Sequence, residues 1–435
     1  MKLAVIADDL TGALDTGVKF TGGRAEVRVC VGAPPALQPG QDPDVLVVDA
    51  ELRHMSPEQA YRACFKTVRA VLDAGAERLY IKVDSALRGN IGPMMQAALD
   101  GSGADFAAFA PALPQMGRVT RGGVHYVGRR PITESVFGRD PFEPVRSPRL
   151  ADLFAGCPAG VQLYAPGQAL QPAAGGPAIG IFDIEAEGDF DRLIAQLQAA
   201  GRFRVLGGCA GFAAHLPRAL GLAGGPEPPA LIPRPLLVLC GSLNPITKAQ
   251  LDYGEQRGAV RLSLDSRRLG GPGQEELLRQ VEGWMAQRRD ILIDTTGPGQ
   301  AEDGQTVSSQ RGTVAQALGA LMFRLLHSGR IADYQPMIIG GDTLMGLMAQ
   351  LPAAELVPLA EPVPGAVLSR VVLEDGAARA ILTKSGGFGS RELLDEIHQV
   401  LNGGMEDGTV CAHHPTAGVQ RPRGDAGPGR PGRRA

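Results

Sequence analysis

The sequence predicts an α/β protein built as two Rossmann-like domains, with largely parallel sheets and a ligand cleft between them. Three observations predict it. Leu3 to Ala7 is a short, wholly apolar run, as a strand covered on both faces requires, and it stops at Asp8-Asp9 before a helical stretch opened by Thr11 and Gly12. Apolar runs of strand length then alternate with segments of helical spacing, the pattern of a doubly wound sheet. The same alternation restarts at Leu236, after an interval dense in Pro and Gly.

Composition narrows the function. At 435 residues the chain exceeds one ordinary domain, and 44% hydrophobic with 20% charged residues is globular. A net charge of -3 offers no basic excess for phosphate backbones, so nucleic acid is not the expected partner. Six cysteines are scattered without a Cys-x-x-Cys, which indicates neither a zinc site nor a disulfide framework. No apolar run reaches the length of a membrane span, so a cytoplasmic protein without a membrane partner is expected.

Taken in order, Glu26 to Val31 and Asp44 to Val48 read as strands after the first helix. The second runs into Asp49-Ala-Glu-Leu-Arg53. Ser56, Pro57, Glu58 and Gln59 form a helix start signal. The strand Arg78 to Val83 leads into Lys82-Val-Asp-Ser-Ala-Leu-Arg-Gly-Asn90, and Phe106 to Ala110 leads into Pro111 to Arg118. Residues 122–149 read as an irregular excursion lying over the site, because a long loop inside a compact domain is usually functional. Ala178 to Phe182 and Phe203 to Gly207 are strands flanking a helix from Asp189 to Ala200. The expected boundaries are an N-terminal domain at 1–224, a linker at 225–235 and a C-terminal domain at 236–403. A Gly/Pro/Arg-rich tail at 404–435 lacks the apolar surface to order itself. In the second domain, strands are expected at Leu236 to Cys240, near 260–264, 290–294 and 336–339, and at Ala378 to Leu382. A helix is expected at 274–288.

Polar residues at strand ends divide the two halves. The first gathers Asp8, Asp9, Arg53, Lys82, Asp84, Arg88 and Arg118. Arginine forks suit a ligand carboxylate, and an aspartate can accept from hydroxyls or take a proton. The second gathers Gly and Ser/Thr: Gly241-Ser242, Gly340-Gly-Asp-Thr343 and Lys384-Ser-Gly-Gly-Phe-Gly389. Such loops hold phosphates through backbone N–H groups. A small hydroxylated acid facing a nucleotide makes phosphoryl transfer the natural chemistry. Each piece also has a plainer reading: Asp9 as a helix cap with Asp8 solvated, Arg88 or Arg118 as ion pairs, Lys384 as an exposed strand-end charge, Asp342 as another cap. No Gly-x-x-x-x-Gly-Lys-Ser/Thr occurs, which excludes a P-loop.

Together, Ala-Asp-Asp-Leu-Thr-Gly-Ala (7–13), Asp-Ser-Ala-Leu-Arg-Gly-Asn-Ile-Gly (84–92) and Pro-Ala-Leu-Pro-Gln-Met-Gly-Arg (111–118) closely resemble the four-carbon acid sugar kinase family. So do Gly-Ser with Thr247 and Gln250, Gly-Gly-Asp-Thr (340–343) and Lys-Ser-Gly-Gly-Phe-Gly (384–389). The resemblance implies an N-terminal sugar-acid domain, a C-terminal nucleotide domain and ATP- and Mg²⁺-dependent 4-phosphorylation of threonate, erythronate or 3-oxo-tetronate. It implies substrate contacts at Asp9, Arg53 and the stretch Lys82, Val83, Asp84 and Ser85, to which the charge pattern adds Arg88 and Arg118. It implies ATP contacts at Ser242, Gly340, Gly341, Asp342, Thr343 and Gly386, with Lys384 beside them. Asp9 is the first candidate for the catalytic base and Asp8 the second, and a homodimer is compatible with the pattern. Three places depart from the family: Leu52, Ala86 and the pair Met94-Met95. Read as sugar-side changes, they leave the substrate open. They also admit an impaired sugar-acid sensor, or a phosphotransferase for another small hydroxy acid, as alternatives.

Overall fold

The structure is a computed structural model that describes residues 1–22, 25–34, 42–140, 143–171, 175–224, 232–264, 272–295, 306–351, 355–373 and 378–403. In the first half, β1 (Leu3–Ala7), α1 (Leu10–Gly17), β2 (Val27–Val31), β3 (Val45–Asp49), α2 (Pro57–Asp73), β4 (Leu79–Lys82), α3 (Ile91–Ser102) and β5 (Phe106–Ala110) follow one another. The start signal at Ser56 is realised: its side chain accepts from the Gln59 N–H while Gln59 reaches back to the Ser56 N–H.

The excursion after β5 is more ordered than its composition suggests. β6 (Arg118–Arg121), β7 (Val124–Val127) and β8 (Arg130–Pro131) form a separate three-stranded antiparallel sheet. Short strands joined by Gly-rich turns carry too few residues to display a period. β9 (Gly160–Tyr164), β10 (Ala178–Phe182), α4 (Glu187–Ala199), β11 (Val205–Gly208), α5 (Ala210–Ala214) and α6 (Leu216–Ala219) complete this half.

The second half runs β12 (Leu236–Cys240), α7 (Pro245–Gln256), β13 (Val260–Ser263), α8 (Pro272–Met285), β14 (Ile291–Asp294), α9 (Thr306–Leu326), β15 (Gln335–Ile339), α10 (Gly341–Met348), β16 (Leu356–Val363), β17 (Ala366–Val372), β18 (Ala378–Lys384) and α11 (Leu393–Gly403). The strands β9, β16 and β17 were not anticipated. Most of the expected linker, at 225–231, and the tail at 404–435 lie outside the described residues.

Strand pairing makes two largely parallel arrays: β2-β3-β1-β4-β11-β5-β10-β9 in the first half and β13-β14-β12-β15-β18 in the second. They are not separate sheets. The antiparallel strands β17 and β16 extend the second array until Leu356 of β16 pairs with Val29 of β2, giving one 15-stranded sheet. Every residue of β1, β3, β5, β12, β14 and β15 is buried, as strands covered by helices on both faces must be. The carboxyl ends of β1, β3, β4, β12, β15 and β18 carry the residues singled out from the sequence. No described helix is long and apolar enough to cross a membrane, and Cys30, Cys64, Cys157, Cys209 and Cys240 are free thiols.

Candidate active site

A cavity of about 550 Å³, the size of a small-molecule site, opens between the two halves. One wall comes from the first half: Asp8, Asp9, Thr11, Arg53 and Arg88 at strand ends, with Phe137 and Asp140 from the excursion. The facing wall is Ser242 and Asn244 after β12, Gly340 to Thr343 at the start of α10, and Ser385 to Gly387 after β18. The excursion thus supplies part of one cavity wall.

Asp8 and Asp9 end β1, and one guanidinium holds both. Arg53 donates from Nε and Nη2 to Asp8 (2.8 and 2.9 Å) and from Nη1 to Asp9 (2.8 Å). Asp8 is 1% exposed, so it is not the solvated charge of the plain reading. Burial raises its carboxyl above the usual range despite Arg53. Asp9 does cap α1, accepting from the Gly12 N–H (3.0 Å) and the Thr11 hydroxyl (2.8 Å). Burial pushes against its charge too, but Arg53, Lys82 and the Thr11 hydrogen bond together hold it below the usual range. Both aspartates line the cavity. Gly89, at φ +87°, lets the chain pass this cluster: a Cβ there would come within 3.2 Å of Arg53 and 3.3 Å of Asp8.

Below this pair lies a second, small cavity of about 20 Å³, also between the halves, lined by Asp9, Lys82, Asp84, Ser85 and Lys384 among others. Lys82 is 4% exposed, and its ammonium reaches toward Asp9 over Gly12, where a Cβ would lie 2.4 Å from Nζ. Arg88 clasps Asp84 through Nε and Nη2 (2.6 and 3.2 Å) and reaches Asp140 with Nη1 (3.3 Å). Burial opposes the Asp84 charge, yet Arg88 and Arg53 hold its carboxyl far below the usual range.

On the opposite wall, Gly340 takes φ +112° and no side chain caps α10, so the first turn of that helix opens on the cavity. Gly386 is closely packed: a Cβ there would lie 2.1 Å from Ser242 Oγ and 3.1 Å from Ser242 Cβ, so a side chain would have to displace Ser242. The carbonyls of the loop after β18 are turned away and pinned: Lys384 donates to Ser385 O (2.8 Å) and Phe388 O (2.9 Å), Thr247 to Gly386 O (2.8 Å), and Gln250 to Phe388 O (2.9 Å). No N–H of Ser385, Gly386 or Gly387 is engaged among the described residues. With α10 alongside, these N–H groups form a cradle suited to a polyanion.

Several expectations need correction. Val83 lies in the hydrophobic core, fully buried, and lines neither cavity. Lys384 is not an exposed strand-end charge, nor does it line the large cavity; its ammonium anchors the loop beneath. Arg118 lines neither cavity and instead ties Ser85 to Gly387. The three departures do lie in the first half, but none lines a cavity: Leu52, Ala86, Met94 and Met95 are fully buried in its core. Glu51, Asp140, Phe137 and Asn244 line the cavity without having been singled out as ligands. For Glu51 a signal existed, because Asp49-Ala-Glu closes a strand, and its backbone has φ +49°, which is rare for a side chain of this kind. Burial raises both the Asp49 and Glu51 carboxyls.

Comparison with known proteins agrees with this division of labour. A family described as sugar-binding N-terminal domain matches residues 3–216, and one described as nucleotide-binding C-terminal domain matches residues 237–394. The chain is 29% identical to a D-threonate kinase of Salmonella typhimurium, over 91% of this chain and 97% of that one. It is 26% identical to a 3-oxo-tetronate kinase of Pseudomonas fluorescens, over 93% and 98%. A D-erythronate kinase of Heliobacterium modesticaldum is 36% identical over 35% of each chain. Solved structures from Salmonella typhimurium and Haemophilus influenzae share the fold, with TM-scores of 0.72 and 0.65 at 21% identity. They cover 91% and 92% of this chain, and 98% and 100% of their own. With both domains matched in order and curated kinases of four-carbon acids aligned along nearly the whole length, the chain belongs to the four-carbon acid sugar kinase family and is a sugar-acid kinase.

Proposed function

We propose that the protein transfers the γ-phosphoryl group of ATP to the 4-hydroxyl of a four-carbon sugar acid of the threonate, erythronate or 3-oxo-tetronate class. The observation that carries this reading is the meeting of the two walls. A Cβ built on Gly341, at the N-terminus of α10, would stand 3.7 Å from Asp9 Oδ2 and from Thr11. A carboxylate is thereby brought beside the mouth of an anion cradle, the kind of juxtaposition that transfer to a hydroxyl uses.

In this reading the cradle of Ser385 to Gly387, Gly340 to Thr343 and Ser242 holds the nucleotide's phosphates. ATP supplies the transferred group, and Mg²⁺ offsets the phosphate charge. No grouping of three or more His, Cys, Asp or Glu suited to a metal lies among the described residues. That fits an ion borne mainly by phosphates and water with one or two carboxylates. Arg53 and Lys82 supply positive charge on the acid's side, and Asp9 takes the hydroxyl proton. Its low proton affinity suits a role in which positioning dominates and the proton leaves late. Leu52, Ala86, Met94 and Met95 pack in the core and line neither cavity, which favours an active kinase over an impaired sensor.

The test is ADP release with MgATP against D-threonate, D-erythronate and 3-oxo-tetronates, with the phosphate located by NMR. Turnover at O4 on at least one acid is expected. Asp9→Asn should lose at least ~100-fold in kcat, the lower range for general-base removal, while still binding a nucleotide. Activity on none of the acids, or wild-type turnover in both Asp9→Asn and Asp8→Asn, would refute the assignment.

A further inference from the structure

The loop that forms the phosphate cradle has its carbonyls pinned one by one, and one of the pins comes from the other half of the molecule. Ser385, Gly386 and Phe388 are held by Lys384, Thr247 and Gln250, all in the second half. The carbonyl of Gly387 is held by Nη2 of Arg118, 3.3 Å away and 269 residues earlier in the chain. The other terminal nitrogen of the same guanidinium, Nη1, donates to the hydroxyl of Ser85, which lies on the wall of the small cavity beside Lys82 and Asp84.

Arg118 is built for this span. It begins β6 immediately after a tight turn, and its backbone is clamped to Leu113 in both directions, Leu113 N–H to Arg118 O at 2.7 Å and Arg118 N–H to Leu113 O at 3.1 Å. Its guanidinium lies between two rings, 4.9 Å from the centroid of Phe137 and 5.1 Å from that of Phe388. Phe137 belongs to the excursion and Phe388 to the cradle loop, so the stacking also joins the two halves. The side chain is 4% exposed, and its hydrogen-bond partners among the described residues are neutral. Burying a cation among neutral partners is costly, and the planar fork reaches its two partners from two separate nitrogens, a span that a lysine would have to cover from one and without the stacking face.

We infer that Arg118 is a positioning residue that couples the two ligand sites, so that an acid seated against Asp9 and Arg53, which line both cavities, sets the cradle loop for the nucleotide through Ser85 on the small cavity. The inference rests on the proposed acid and ATP sites. A shift of Ser85 on acid binding moves one prong of a rigid fork whose other prong holds Gly387. The aromatic faces prevent the fork from turning independently of Phe388. By linkage the effect is reciprocal: bound nucleotide tightens the acid by the same factor.

The experiment is calorimetric titration of the full chain with Mg·AMP-PNP, with D-threonate and with D-erythronate, each alone and then in the presence of the other class. Wild type should show an acid that tightens the nucleotide ~5-fold or more, within the ordinary span of coupling between linked sites. In Arg118→Lys the factor should fall toward one while each ligand alone keeps its affinity within a few-fold. Phe388→Leu, which leaves the guanidinium but removes one ring, should reduce it in the same direction. It decides the matter should Arg118→Lys fail to fold. A merely structural brace would lower the melting temperature and leave the factor unchanged, and an unchanged factor in the folded variants overturns the inference. Binding of both ligands to wild type without coupling overturns it too, but leaves the kinase reading intact. Binding of neither overturns both.

Discussion

Replacing Arg53 by Met tests the electrostatics at the centre of the site. Arg53 donates three hydrogen bonds to two adjacent carboxylates, and its side chain is 10% exposed against 1% for Asp8 and 16% for Asp9. Removing one partner of a buried charge cluster leaves the others desolvated and mutually repelling, at a cost of ~3–5 kcal/mol. The loss should depend on pH in a particular direction. In the wild type the two aspartates pull oppositely: burial raises Asp8, whereas Arg53 and Lys82 outweigh burial and lower Asp9. Their contributions to the pH dependence of stability are therefore opposite in sign. Without Arg53 both carboxyls rise above their unfolded values, so the native state binds more protons than the unfolded state just above pH 4. Stability then increases as pH falls through that window, by about 1.4 kcal/mol for each pH unit that a native value is raised. Urea unfolding at pH 8 and pH 5, with the slope checked for constancy, measures this. The expected result is a deficit of ~3–5 kcal/mol at pH 8 that narrows at pH 5. A deficit under ~1 kcal/mol would place the pair among weak surface bridges. A deficit equal at both pH values would also refute the reasoning, because it would mean that the carboxylates do not feel Arg53.

Three further outcomes follow from other residues. Gly386→Ala drives a methyl into Ser242 and should weaken AMP-PNP binding by ~10-fold, about 1.4 kcal/mol, with little change in acid affinity; unchanged nucleotide affinity in a titration would show that this loop is not the cradle. Burial, with the Arg118 charge beside it, pushes His125 down to about 4, and its Nε2 has no partner among the described residues. A base depressed in the folded state binds fewer protons there than unfolded, so roughly 3 kcal/mol of stability should be lost as pH falls from 6.5 to 4; His125→Asn should flatten that part of a denaturation-versus-pH curve. Burial lowers Lys384 to about 7 from its ordinary 10.5, so stability should rise, by up to about 5 kcal/mol, as pH rises from 7 to 10.5. Lys384→Met should abolish that rise and loosen the cradle loop, read as weaker nucleotide binding at pH 7.

The strand-ending aspartates, the helix opened at Ser56 and the Gly-rich turns after β12, β15 and β18 were all legible in the sequence. These are local matters: a short apolar run cut by charge, a cap with its partner three residues on, a glycine where the backbone must turn at positive φ. So were the two-domain division and the polar character of each half. What faces the cleft was less legible. Lys82 and Val83 are neighbours, yet one reaches the small cavity and the other enters the core, because successive side chains of an extended chain point to opposite sides. Leu52, Ala86, Met94 and Met95 sit within or beside site motifs and nonetheless pack inward, which no spacing announces.

The sequence by itself determined the fold class, most strands of the two parallel arrays and the residue types delivered to the strand ends, since each follows from interactions a few residues long. Tertiary structure alone decided that the two sheets fuse through Leu356 and Val29, that Gly341 arrives beside Asp9, and that Arg118 spans Ser85 and Gly387. The contacts of Leu356 with Val29, Gly341 with Asp9 and Arg118 with Gly387 each join residues hundreds of positions apart in the chain. They are selected by how two complete halves bury their surfaces against each other, a quantity that no local stretch of chain contains.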